Sequence, residues 1–103
     1  MQIQINTDRN IEGDADFTRN VEDVVRSSVG RFDDQVTRVE VHLKDLNGEK
    51  HGADDKRCLL EARVAGRNPV AVSHDAATLH QAVAGAAKKL KSNLAKTFGR
   101  LKH

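Results

Sequence analysis

Six basic side chains near the end of the sequence, Lys88, Lys89, Lys91, Lys96, Arg100 and Lys102, are its clearest candidates for chemistry. No acidic residue follows Asp75. Eleven basic and fifteen acidic residues precede position 76, so the net charge of +2 divides into −4 before that point and +6 after it. Ammonium and guanidinium groups without intervening carboxylates make a surface suited to phosphate. At about 100° per residue, Lys89, Lys96 and Arg100 share one flank of a helix, Lys91 and Lys102 the other, and Lys88 points away from the core. A plainer explanation stands beside this one. Cations are favoured near a helix C-terminus by the backbone dipole, each by about 0.3–1 kcal/mol. Two or three would meet that tendency, however, and an ordinary solvated face mixes signs to form i,i+4 pairs.

Other reactive residue types form no constellation. His74 and His80 are six apart, about 120° from facing the same way on a helix. Cys58 falls on a core-facing position, where a lone thiol packs as a small hydrophobe. The run DLNGE at 45–49 has oxygen ligands in alternation but not the spacing or the terminal Glu of a calcium loop, so a turn is expected. Ser27, Ser28, Ser73 and Ser92 occupy no strand-to-helix elbow, and no glycine-rich phosphate cradle is present. Asp54 and Asp55 are adjacent in a loop, where solvation or turn capping is the simpler role. These patterns predict no catalytic residue, no metal and no cofactor.

The elements that would carry the lysines follow from periodicity. QIQIN at 2–6 alternates as a strand, with Ile3 and Ile5 on one face. Asp14 is placed to cap a helix to about Phe32, whose stripe is Phe17, Val21, Val24, Val25, Val29 and Phe32. TRVEVHLK at 37–44 alternates again, with Val39, Val41 and Leu43 inward. Asn47-Gly48 and the charged stretch to Asp55 read as a long hairpin loop. A third strand at about 57–65 turns Cys58, Leu60, Ala62 and Val64 inward. Gly66 to Pro69 then leads into a short fourth strand with Val70 and Val72. The last and longest helix is expected from about Asp75 to Phe98, with Leu79, Val83, Ala86, Ala87, Leu90, Leu94 and Phe98 inward. Gly99 suits a left-handed terminating position, and residues 99–103 a frayed basic tail. The predicted fold is α+β, in the order β-α-β-β-β-α: a four-stranded sheet with two helices on one face. Its open face would show Gln2, Gln4, Arg38, Glu40, His42, Lys44, Glu61 and Arg63, without the aromatics of a base-stacking platform.

With 103 residues, the chain suits one domain. At 38% hydrophobic, with three Phe and no Trp or Tyr, its core must come mainly from Val, Leu, Ile and Ala. No apolar run approaches the roughly 20 residues that span a bilayer. The opening MQIQINTDRN lacks the basic and apolar regions of a signal peptide. A single cysteine suits a reducing compartment. A cytoplasmic location without membrane contact is therefore expected.

The assembled pattern resembles the ribosome hibernation-promoting and ribosome-associated translation-inhibitor family. The similarity lies in MQIQI with Asn10-Ile11, in the first helix ending at Phe32-Asp33, in VTRVEVHLKD (36–45) and in DAATLHQAVAGAAKKLKSNLAK. DLNG, DDKRC and LEAR (45–48, 54–58, 60–63) are similar to a short, single-domain branch. The resemblance implies a domain related in shape to double-stranded RNA-binding domains. It implies binding to the small ribosomal subunit and its ribosomal RNA, not DNA, in the mRNA and tRNA channel, which silences idle ribosomes under stress or in stationary phase. It carries the RNA-contact role onto Lys88, Lys89, Lys91 and Lys96, with Arg100 and Lys102 as tail contacts. In the first helix, where family members often carry lysines, this sequence has Asp23, Ser27 and Gly30. Arg19, Arg26 and Arg31 are the expected substitutes, and Glu22 and Asp23 would repel phosphate. The family's long forms carry a C-terminal dimerisation module, which is not expected here. The alternative is a protein-interaction module on the same fold, without ribosome binding.

Overall fold

The computed structural model describes residues 1–8, 11, 13–46 and 55–99. Its elements are β1 (Gln2–Thr7), α1 (Ala15–Val29), a 3-10 turn (Gly30–Phe32), β2 (Val36–Asp45), β3 (Lys56–Val64), β4 (Val70–Ala76) and α2 (Leu79–Gly99). The order β-α-β-β-β-α is the one the hydrophobic periodicity predicts.

The sheet runs β1-β2-β3-β4 and is mixed. β1 and β2 are parallel, with Ile3 opposite Val39 and Ile5 opposite Val41, and α1 is the crossover between them. β2 and β3 form a long antiparallel pair in which Val39 meets Ala62, Val41 meets Leu60 and Leu43 meets Cys58. All six are buried, as a period of two requires when one face is covered. Gly66, with φ +72°, turns the chain from β3 into β4 in a backbone conformation that a Cβ would strain.

Both helices cover the same face. α2 lies over β3 and β4, and α1 packs beside it. The Phe17 N–H donates to Asp14 Oδ1 at 2.8 Å, the N-cap expected of that aspartate. From there α1 buries Val21, Val25 and Val29. The 3-10 turn tightens its end and delivers Phe32 into the core, so the helical stripe changes pitch after Val29. On α2, Ala82, Ala86 and Ala87 are buried beside Leu90 and Leu94. Small residues in its first half bring that half close to the sheet.

Several boundaries depart from expectation. β4 continues to Ala76, and α2 begins at Leu79 rather than near Asp75. The reason is a cross-strand partner: Asp75 faces Arg57, whose guanidinium donates to both carboxylate oxygens at 2.7 and 3.0 Å. This holds residue 75 in the ladder, and Thr78 becomes the cap, its Oγ1 accepting from the Gln81 N–H at 3.1 Å. Gly99 is still helical and not left-handed. Asp55 is buried rather than solvated, since the Lys56 ammonium lies 3.0 Å from it and 3.3 Å from Asp45. The expected turn at Asn47-Gly48, Asp54, and the tail residues Arg100 and Lys102 lie outside the described residues.

Candidate nucleic-acid interface

Lys88, Lys89, Lys91 and Lys96 are all exposed on α2. Among the described residues, none of the four has a carboxylate at ion-pair distance. This contrasts with the sheet, where Arg38 pairs with Glu40 at 2.9 Å, Arg63 with Glu61 at 3.8 Å and Arg57 with Asp75. The last acidic side chain of the sequence is thus held by an arginine, which, with smaller effects from His74 and Lys89, keeps the Asp75 carboxyl below its usual range.

The four lysines fall on different sides of α2. The Lys89 ammonium donates to the Ser73 carbonyl of β4 at 2.9 Å, so this side chain bridges the helix to the sheet edge. Lys96 lies about 20° from it around the helix, on the same β4-facing flank. Phe98, about 80° round from Leu90 on the other flank, meets Phe32 with ring centroids 6.1 Å apart, and that flank carries Lys91 towards α1. Lys88 points away from the core. The cationic surface therefore wraps the outer half of α2 rather than forming one line.

The arginines expected from the first helix separate into two groups. Phe17 meets His80 of α2 edge-on at 5.9 Å, which fixes the side of α1 that faces α2. Arg19 and Arg26 lie roughly opposite Phe17 around α1. Each is engaged on its own helix, Arg19 with Asp16 at 3.8 Å and Arg26 with Glu22 at 3.1 Å. Arg31 is different. Its guanidinium lies over the Phe32 ring, 4.6 Å from the centroid, and with Phe32, Gln35, Phe98 and Gly99 it lines a recess of about 250 Å3 at the end of α2. Of the three, Arg31 is the one that shares a recess with the end of α2.

A further cation escapes sequence reasoning. Arg67, in the turn between β3 and β4, places its guanidinium 5.6 Å from the centroid of the Phe98 ring. Residues 67 and 98 are distant in sequence, and the turn residue carries no periodic signal. The available cue was a basic residue directly after the turn glycine. Arg31 and Arg67 thus flank the Phe32–Phe98 pair, one guanidinium over each ring.

For catalysis the arrangement offers little. Cys58 is fully buried, and burial pushes its thiol up to about 12, far from thiolate chemistry at neutral pH. No three metal-ligating side chains gather among the described residues. No helix is long and apolar enough to cross a membrane among those residues.

The profile of the sigma 54 modulation protein / S30EA ribosomal protein family matches residues 4–102, nearly the whole sequence. The chain belongs to this family. The membership agrees with the resemblance carried by the strand and helix segments, and it places the chain in a ribosome-associated group. No curated protein sequence matches the chain. Among solved structures, the N-terminal domain of Protein Y from Thermus thermophilus is similar at 24% identity and a TM-score of 0.75, covering 94% of this chain and 99% of that one. A ribosomal subunit interface protein from Coxiella burnetii is similar at 14% identity and a TM-score of 0.71, covering 96% and 99%. At these identities the two structures establish that the S30EA-type fold is shared.

Proposed function

We propose that this S30EA-family chain is a ribosome-associated, RNA-binding translation regulator that binds the small ribosomal subunit and silences idle ribosomes under stress or in stationary phase. The observation that carries the proposal is α2: four exposed lysines, none with a carboxylate at ion-pair distance among the described residues. A helix stabilising itself would place acids four residues away. A surface kept for phosphate leaves its cations unpaired. Family membership supports a ribosomal partner, and the name of the Coxiella burnetii structure, a ribosomal subunit interface protein, supports a site on a subunit face. Contacts would be electrostatic and shape-based, because the exposed sheet face carries no Phe, Tyr or Trp among the described residues. The regulator acts by occupancy and needs no catalytic group, cofactor or metal. Arg31 contributes from the 3-10 turn after α1, with Arg100 and Lys102 following α2.

One observation favours a second reading. Arg19 and Arg26 are engaged by acids of their own helix, which leaves the outer flank of α1 nearly neutral. Such a flank suits a protein partner better than RNA, as in an interaction module on the same fold.

Sedimentation with purified small subunits separates the two. Replacing Lys88, Lys91 and Lys96 together by Gln keeps length and helix propensity and breaks no hydrogen bond with the sheet. Affinity should fall, and the slope of log K against log salt should flatten by about 0.7–0.9 for each lost phosphate contact. Unchanged affinity and slope, with the fold intact by circular dichroism, would give first place to the interaction module.

A further inference from the structure

The turn between β3 and β4 and the last turns of α2 enclose a recess of about 800 Å3, lined by Arg67, Asn68, Pro69, Val70 and Thr97. Its volume is within the about 300–1,000 Å3 of ligand sites, but it opens broadly onto the surface, which suits a length of polymer better than an enclosed small molecule. No acidic residue is among those that line it. Arg67 has no ion-pair partner among the described residues. Its guanidinium is steadied over the Phe98 ring, so the N–H edge stays free to fork onto an oxyanion. Asn68 and Arg67 are exposed, and Lys96 stands on the flank of α2 that faces β4.

We infer that this recess is a second RNA-docking groove, in which Arg67 holds a phosphate of the sugar–phosphate backbone, Asn68 offers a hydrogen bond to the adjoining sugar, and Thr97, whose hydroxyl donates to the Asn93 carbonyl at 3.0 Å, can accept one from a sugar hydroxyl. The inference rests on the ribosomal reading above and extends it from α2 to a turn at the end of the sheet. RNA is favoured over an acidic protein surface by continuity. The recess is lined by Thr97, the residue after the exposed Lys96 on α2, so one polyanion can run from that end of the helix across the turn. The groove also gives the Arg67–Phe98 stack a role beyond covering an aromatic ring, because a lysine would cover that ring with less order and without the fork.

The test measures binding of the full chain to purified small subunits across a salt series. Arg67→Gln should weaken binding roughly tenfold, the size of one hydrogen bond to a charged group, and flatten the salt slope by about 0.7–0.9. Asn68→Asp and Asn68→Lys keep both Arg67 and Phe98 and set opposite charges at the recess, so they guard against a folding defect in the first variant. The aspartate should weaken binding and the lysine should strengthen it. If all three bind like wild type while the Lys88/Lys91/Lys96 triple does not, the recess is no RNA groove and the ribosomal reading stands. If the triple also binds like wild type, both fail. Weaker binding by Arg67→Gln with an unchanged salt slope would mean a contact to ribosomal protein rather than phosphate, and would overturn the inference.

Discussion

The imidazole of His74 on β4 lies directly over the α-carbon of Gly85 on α2. A Cβ built at residue 85 would overlap the ring at Cγ, Cδ2 and Nε2. Glycine in a helix interior ordinarily costs about 1 kcal/mol relative to alanine. Here it lets the helix sit against an aromatic side chain of the edge strand, one turn before the Lys89 bond to the Ser73 carbonyl.

Gly85→Ala should therefore destabilise the protein by about 1–3 kcal/mol, the usual cost of overpacking, although alanine is the better helix former. Adding His74→Ala should recover most of the loss. Urea melts of the two single variants and the double variant measure the coupling. Additive effects would place the imidazole elsewhere.

Leu90 is fully buried at the centre of the α2 stripe. Leu90→Ala should cost about 2–5 kcal/mol, from lost burial plus the cavity left between α2 and the sheet. A loss below about half a kcal/mol in the same melts would contradict the packing of α2.

Thr78 caps α2. Thr78→Ala should cost about 0.5–2 kcal/mol, the range for a lost N-cap. Asp75→Asn should leave the helix start unchanged, because that carboxylate serves the Arg57 pair. Helical amide exchange in the first turn of α2 distinguishes the variants: protection should drop in the first and persist in the second.

The Cys58 thiol gives a pH signature. Its folded value is raised to about 12 by desolvation, above the ordinary 9.0 expected when unfolded. Below pH 9 both states hold the proton, and the thiol adds no pH dependence. As pH rises from 9 towards 12 only the unfolded state ionises, so stability should fall by about 1.4 kcal/mol per pH unit from this group. Cys58→Ala should lower stability overall but flatten that alkaline decline. An equally steep decline in the variant would assign it to other groups. The native thiol should also resist alkylation at pH 8 until the protein unfolds.

Much of this protein is legible in its sequence because the relevant physics is local. Alternation in QIQIN and TRVEVHLK marks strands with one covered face, and the stripe from Leu79 to Phe98 marks the buried side of α2. The acid-free run after Asp75 needs no fold to be noticed. The spacings of Asp16 to Arg19 and Glu22 to Arg26 foretell ion pairs within one helix. What the sequence left open depends on partners brought together by the sheet. Asp75 looks like the start of the last helix until Arg57 meets it from the neighbouring strand. Lys89 looks equivalent to Lys96 until β4 offers it a carbonyl. Gly85 looks like a flaw in a helix until His74 fills its place. Arg67 looks like an ordinary turn residue until the β3–β4 turn folds back on Phe98. Periodicity reports which face of an element is buried but not which element lies against it. Strand order and register decide which side chains meet, and so only the tertiary structure brought Arg31 and Arg67 to the Phe32–Phe98 pair at the end of α2.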